Sequence, residues 1–332
     1  SAAAALRRFV REQARVGQAA ALDGPQPLAV AFSGGADSTA LLLAARRHWP
    51  GRPLFALHVH HGLQAAADGF AEHAMRQCDR WGVACRVLRV RVPHGPGDSV
   101  EEQARRVRHE CLQSEARGLG CEWLLLAQHA DDQAESLLLA LLRGAGPAGL
   151  AGMPAAAQRG GVWVGRPLLD CSAQRLRAEL DGAGVDYVRD PMNHDPALRR
   201  SRIRHELLPV LERLEPAWRR TLGRSAEWCA QAADAVRVRA QEDLRRCAGE
   251  PGLRLDALAG LTRPRRAEVL RAWLAELGLR SNAAQIDNLA RQREAPPGRD
   301  VQIRVGGAGL RRDGAWLLCE RVAVAGPRPP CL

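Results

Sequence analysis

Three stretches of this chain carry residues whose types and spacing could do chemistry. The first is Ser33-Gly34-Gly35-Ala36-Asp37-Ser38, set between an apolar run (residues 28–32) and an Ala/Leu-rich run (39–45) with a helical pattern. A strand, a glycine turn and a helix start bring backbone N–H groups and the positive end of a helix dipole to one point. Glycine lets the main chain approach a ligand without a Cβ in the way. With two serine hydroxyls added, an anion of several oxygens, such as phosphate or pyrophosphate, is the natural guest. The loop lacks the Gly-Lys-Ser/Thr of a Walker A motif and is not GxGxxG. A turn that uses glycine and serine for geometry alone is the plain alternative.

The second stretch is Gln128-His129-Ala130-Asp131-Asp132-Gln133-Ala134-Glu135. Asp132 and Glu135 are spaced i, i+3 and share a helix face, in a first turn where negative charge is favoured. With Asp131 they offer acids for an ammonium group or a magnesium ion; ordinary acidic capping is the plain alternative. The third is basic. Arg105 and Arg108 are i, i+3 neighbours, so one face offers two guanidinium groups to phosphates. Arg199-Arg200-Ser201-Arg202-Ile203-Arg204-His205 is denser, and a solvated basic face would also explain it. The histidines of Leu57-His58-Val59-His60-His61-Gly62-Leu63 fit a nucleotide contact better than zinc. On a strand His58 and His60 share a face, His61 points away, and no nearby cysteine or carboxylate completes a ligand set. The sequence thus predicts no metal site built from protein side chains alone.

These groups need a scaffold, and the pattern supplies one. Before Arg200, apolar runs at 28–32, 54–60, 85–92, 122–127 and 161–166 alternate with helical patterns at 38–48, 66–81, 99–117, 132–142 and 172–182. That alternation predicts an α/β fold, a doubly wound parallel sheet. Ligands then sit beyond the C-terminal strand ends, where Ser33, His60 and Gln128 fall. From 203 to 293 the pattern is helical. Glu294-Ala295-Pro296-Pro297-Gly298 reads as a linker, and 300–305 with 315–321 reads as a terminal β-hairpin. The predicted domains are 1–205, 206–293 and 294–332.

The 332 residues carry a formal net charge of +11, which points to an anionic partner, nucleic acid before membrane surface. The chain has no lysine, so the choice of arginine is partly compositional, but the excess of charge is not. Nine cysteines without a C-x-x-C pair predict reduced thiols in a cytoplasmic protein. No apolar run reaches membrane-spanning length; 137–142 is stopped by Glu135 and Arg143. The Ala- and Arg-rich start, residues 2–21, carries Glu12 and a helical period, which favours a first helix over a targeting segment.

The loop at Ser33 resembles the SGGxDS loop of the ATP pyrophosphatases, also called the PP-loop enzymes. Taken in order, the motifs resemble those of the tRNA(Ile)-lysidine synthases. The matching set adds Glu102-Gln103-Ala104-Arg105 with Arg108, Arg143-Gly144 and Gly149-Leu150-Ala151-Gly152-Met153 to the stretches above. Arg166-Pro167-Leu168, Asp190-Pro191 with Asn193, and Arg200 with Arg202-Ile203-Arg204-His205 complete it. Departures are His60 where Asn or Asp is usual, Gln64 for Arg, Gln128 for a frequent His, Ser201 for Asn and His109 for Tyr.

The resemblance implies ATP and Mg2+, a tRNA(Ile) with a CAU anticodon, L-lysine, and an adenylated cytidine intermediate. The product, lysidine, shifts codon reading from AUG to AUA. It implies ATP contacts at Ser33–Ser38, His58 and His61, lysine held by Asp37, Asp132 and Glu135, and catalytic help from Arg105 and Arg108. Arg200, Arg202 and Arg204 would touch tRNA or phosphate, and Asp37 is the acid best placed to meet magnesium. A homodimer stays open. Lysine's amine is neutral in roughly 1 of 2,500 molecules at pH 7, about 4.6 kcal/mol against the nucleophile. Carboxylates that bind the ammonium form help only if one also accepts its proton. The rival readings are another PP-loop tRNA-modifying enzyme and a catalytically inactive RNA-binding relative.

Overall fold

Each apolar run before Arg200 forms a strand in the computed structural model, which describes residues 1–17, 22–60, 67–91, 100–189, 199–279, 281–292 and 303–321. β1 (Leu28–Ala31) pairs in parallel with β2 (Leu54–His60) on one side and β4 (Trp123–Leu125) on the other. β3 (Ala84–Arg89) extends the sheet beyond β2 and β6 (Val162–Gly165) beyond β4, both in parallel. β5 (Ala156–Arg159) adds an antiparallel edge to β6. Its half-exposed Ala-Ala-Gln-Arg sequence has no apolar alternation, which is why the pattern missed it.

The order β3-β2-β1-β4-β6-β5 means that the chain winds outward from β1 and then returns to its far side. β1 and β4 therefore flank the switch point, where doubly wound sheets leave a crevice. Successive side chains on a strand point to opposite faces. Leu28 and Val30 meet a core that draws on α1 (Ala2–Arg15), α2 (Ala36–His48), α3 (Ala67–Trp81) and, through Leu176 and Leu180, α7 (Ala173–Gly182). Ala29 faces the other way, with Leu112 and Ala116 of α4 (Val100–Gly118). Trp123 is fully buried between the edge of Phe9 and the stacked ring of Trp163, at centroid distances of 5.9 and 5.6 Å.

Past β4 come α5 (Ala130–Leu141), α6 (Pro147–Leu150), α8 (Arg199–Arg202), a π-helical turn at Ile203–Leu207, α9 (Leu208–Leu214) and α10 (Trp218–Cys247). Ala134 of α5 packs with Ile203, Leu208 and Trp218 in a small core of its own. The chain divides into two compact units, Ser1–Cys229 and Ala230–Leu332, so the division falls inside α10 rather than at the predicted residue 205. The reason is physical: the apolar faces of residues 203–222 are spent on α5.

In the second unit, β7 (Leu253–Arg254), α11 (Leu255–Ala259), α12 (Arg263–Glu276) and α13 (Ala283–Gln292) precede β8 (Ile303–Val305), β9 (Ala308–Asp313) and β10 (Trp316–Arg321). The strands form an antiparallel sheet in the order β7-β10-β9-β8. The predicted two-stranded hairpin is thus replaced by a meander. Its middle strand was hidden because Gly306, Gly307 and Gly309 read as one long turn. Leu310 and Leu317 share a core with Leu258, Leu270 and Trp273, so sheet and helices are not separate domains. The predicted linker at 294–298 lies outside the described residues. Among those residues no helix is long and apolar enough to cross a membrane.

Candidate active site

The glycine loop lies between the end of β1 and the start of α2. Gly34 takes a φ of +80°, which an L side chain resists, and its carbonyl accepts Val188 N–H at 2.8 Å. Ser38 Oγ accepts Ser33 N–H at 3.2 Å and donates to Gly35 O at 3.0 Å, so the two serines tie the loop to itself. Gly35 caps α2 with no side-chain bond. The first-turn amides of Ala36, Asp37 and Ser38 are left for a ligand, as an anion site requires. Asp37 is the exception in this cradle. Its Oδ1 is buried and has no hydrogen-bond partner.

Asp37 Oδ2 faces across the switch point to His129 Nε2, at 3.5 Å. His129 caps α5: its backbone N–H donates to Asp132 Oδ2 at 3.1 Å, and its Nδ1 lies 3.4 Å from the Asp132 N–H. Asp132 Oδ2 is also 3.4 Å from His129 Nε2, and Asp131 Oδ2 is 3.7 Å from Nδ1. Burial alone would push the ring's pKa down. Asp132, Asp37 and Asp131 outweigh it and push the ring up to about 9. The neutral ring can accept the Asp132 N–H at Nδ1, whereas in the charged ring Nδ1 carries its own proton, which faces Asp131 Oδ2.

This charge state has a consequence for stability. Because the folded pKa lies above the unfolded value near 6.5, the stabilisation is fully present below about pH 6.5. It is lost as pH rises through about 9. Unfolding free energy measured by urea between pH 6 and 10 is expected to fall across that window, and His129→Gln is expected to flatten the fall. An unchanged slope in the variant would mean that other groups carry it.

One turn along α5, Glu135 is fully buried, and both its oxygens accept from Arg204: Nε at 2.7 Å and Nη2 at 3.1 Å. Arg204 Nη2 also lies 3.6 Å from Asp132 Oδ1. Burial raises the Glu135 pKa against the pull of Arg204. Burial opposes the Arg204 charge too, but Glu135, Asp132 and Asp37 hold its pKa above the ordinary value. Arg200, one turn earlier, donates Nη2–H to Ser136 Oγ at 3.0 Å. Arg200 and Arg204 therefore both reach α5, and Arg204 joins the acids rather than standing apart as a phosphate clamp. Arg202 is exposed and paired with Glu206. Ser201 is buried.

Sequence reasoning missed several supporting roles. Asp131 is a strut: Oδ2 accepts the Ala173 N–H that opens α7, and Oδ1 accepts Arg219 Nε–H, each at 2.8 Å. Gln133 brackets Met153 with two bonds, to its N–H and C=O, and a Cβ at Gly152 (φ +66°) would collide with that amide. Gln128, whose role its sequence left open, accepts Arg166 Nε–H at 2.6 Å. Burial and then the neighbouring charges of Arg105 and Arg159 push the Arg166 pKa down to about 10. Burial, followed by Arg108, Arg105 and Arg166, pushes His109 down to about 4. Arg105, Arg108 and Arg166 thus form one cationic neighbourhood beyond the strand ends. The legible signal for His129 was its cap position beside three acids.

His58 is buried and its Nδ1 meets Phe32 O at 3.0 Å, fastening β2 to the end of β1 rather than lining open space. His60 Nε2 lies 3.1 Å from Asp68 Oδ1. His61 lies outside the described residues, as do Asp190, Pro191 and Asn193. Among the described residues no group of three or more His, Cys, Asp or Glu side chains could hold a metal.

The chain is similar to known proteins. Residues 8–211 match the PP-loop domain family and residues 253–318 the TilS substrate binding domain. A tRNA(Ile)-lysidine synthase of Polaromonas naphthalenivorans is 43% identical over 293 residues, covering 88% of each chain. That of Bordetella bronchiseptica is 40% identical over 332 residues, covering 96% of this chain and 93% of its own. The chain spans 59% and 56% of the lengths of the Chromobacterium violaceum and Alkalilimnicola ehrlichii synthases, at 43% and 45% identity. Among solved structures, the U34-tRNA thiolase NcsA from Methanococcus maripaludis superposes with a TM-score of 0.57 at 17% identity, over 68% of this chain and 79% of its own. That likeness shows the PP-loop fold alone. The sequence matches go further, and by them the chain belongs to the tRNA(Ile)-lysidine synthase family.

Proposed function

We propose that this chain adenylates the anticodon-first cytidine of a tRNA(Ile) with a CAU anticodon and joins L-lysine to it, forming lysidine. One juxtaposition carries the reading. Asp37, in the turn that cradles an anion, stands 3.5 Å from the same His129 ring that Asp132 holds, with Glu135 and Arg204 one turn along α5. An anion site and an ammonium site thus share a carboxylate.

In the first step the cytosine O2 attacks the α-phosphate of ATP, and pyrophosphate leaves. Loop amides and hydroxyls from Ser33 to Ser38 would meet that negative charge, and Arg105, Arg108 and Arg166 are the cations proposed to add to them. Magnesium, when bound with ATP, supplies further positive charge, and the orphan Asp37 Oδ1 is the oxygen here that fits it. In the second step the lysine amine nitrogen attacks C2, the C2–O bond breaks, and AMP departs with the electron pair.

The amine must lose a proton, and His129 gives that proton a destination. With its pKa at about 9 the ring is charged at pH 7 before lysine arrives. A lysine ammonium set against Asp37 and Asp132 is a second cation beside the first, which favours loss of the ring proton. The neutral ring can then accept the amine's proton as attack proceeds. Calorimetric titration of lysine in buffers of different ionisation enthalpy is expected to show proton release at pH 7. No release would return the base role to a carboxylate.

The test of the function itself is direct. Incubation with ATP, labelled lysine and unmodified tRNA(Ile) is expected to put label into the tRNA. ATP cleavage without label would indicate a different PP-loop ligase, and neither event an inactive RNA binder. Arg200 and Arg202 are the proposed tRNA contacts.

A further inference from the structure

Trp228 on α10 is 59% exposed, and it is the one exposed aromatic side chain among the described residues; the other seven tryptophans are wholly or partly buried. The chain spends only 4% of its residues on Phe, Trp and Tyr, so an indole left in water is notable. The guanidinium of Arg224 lies over its ring at 5.3 Å. Arg220, Arg224 and Trp228 follow at i, i+4 and i+8, which places them on one stripe of the helix. Arg220 and Arg224 are exposed, and among the described residues neither has a carboxylate within 4 Å. The opposite side of this helix is buried through Trp218 and Ala226. The exposed Glu227, i+3 from Arg224, flanks the stripe, but among the described residues it makes no ion pair with Arg220 or Arg224.

We propose that Trp228, with Arg224 and Arg220, is a stacking platform for an unstacked base of the tRNA; this rests on the tRNA reading above. Every base has an apolar face that can stack on indole, and each nucleotide brings a phosphate that two guanidinium groups can pair. Folded protein partners do not require this pairing of one flat ring with two unpaired cations. Position supports the same occupant. Arg219 anchors the start of α10 to Asp131, beside His129, and Trp228 lies nine residues on, roughly 13 Å along the axis. A base two or three nucleotides from the reacting cytidine can reach it.

The test uses the full chain, an unmodified tRNA(Ile) transcript with a CAU anticodon, and a blunt RNA duplex of similar charge. Trp228→Ala is expected to weaken tRNA binding ~5- to 100-fold at fixed salt. Trp228→Phe is expected to keep most of the affinity, and the duplex, which offers no unstacked base, to bind both alike. Arg224→Gln is expected to reduce the salt dependence of binding by about one counterion. Val236→Ala, an exposed apolar truncation on the same helix, is the control. tRNA affinity unchanged in Trp228→Ala, equal losses on tRNA and duplex, or a change only in self-association by sedimentation would each overturn the platform. If tRNA binding depends on Trp228 but no lysidine forms, the platform stands and the proposed reaction falls. Lysidine formation with no dependence on Trp228 gives the reverse.

Discussion

Arg204→Gln is expected to lower lysine transfer ~10²- to 10³-fold and to cost about 3 kcal/mol of stability. Both losses have one origin. Glu135 is fully buried, and Arg204 occupies both its oxygens, at 2.7 and 3.1 Å. Removing one partner of a buried pair costs ~3–5 kcal/mol, because the other charge is left without compensation. The Arg204 side chain is 31% exposed, which places the cost at the lower end. The deficit must also depend on pH. Burial already raises the Glu135 pKa, and without Arg204 only the weaker pull of Arg200 opposes it. A carboxyl whose folded pKa exceeds its unfolded one destabilises the fold above that pKa and is relieved by protonation as pH falls. Urea unfolding is therefore expected to show a larger deficit at pH 8 than at pH 5. The double replacement Arg204→Met with Glu135→Leu is expected to regain much of the stability and none of the activity, since apolar groups of similar volume replace buried pairs well. A single variant as stable as the parent at pH 8 would refute the pair's structural role.

Asp37→Asn is expected to change stability little while costing as much activity. Asp37 Oδ1 is buried with no partner, but Oδ2 lies 3.5 Å from the His129 ring whose charge it helps to hold, so an amide removes a costly contact and a favourable one together. A change in unfolding free energy within about 1 kcal/mol is the expected result. Activity should fall ~10²- to 10³-fold, because the anion cradle and the ammonium site lose the charge they share. The half-reactions separate the roles. Asp132→Asn is expected to accumulate adenylated tRNA that lysine cannot discharge. Asp37→Asn is expected to slow adenylation as well. Adenylate appearing at the parent rate in Asp37→Asn would confine Asp37 to lysine binding and remove it from the ATP step.

The contrast between these two carboxylates was not visible in the chain as written. Asp37, Asp132 and Glu135 were legible as a set because each follows an apolar run at the right offset: a glycine turn for Asp37, and i, i+3 spacing on one helix face for the others. Their sequence gives no burial, and burial decides their roles. Glu135 is sealed by Arg204 from a segment 69 residues later, whereas the Asp37 side chain is 30% exposed and only approaches its partner. His129 stood in the same octapeptide without a role. Only the parallel pairing of β1 with β4, side by side at the switch point, brings it to Asp37.

Local order determined much of this protein. The strands near 28–32 and 54–60, the helices that follow them, the loop at Ser33–Ser38 and the family itself could all be read from residue types and short spacings. Those features depend on period, glycine geometry and charge within one element, which neighbouring residues fix. Tertiary structure decided what depends on contacts between distant segments: the antiparallel edge β5, the meander in place of a hairpin, and the unit boundary inside α10. It also turned Arg204 inward, gave Gln128 to Arg166, and left Trp228 in water. A side chain's partner, its solvent and hence its pKa are properties of the packed chain, and no stretch of sequence carries them alone.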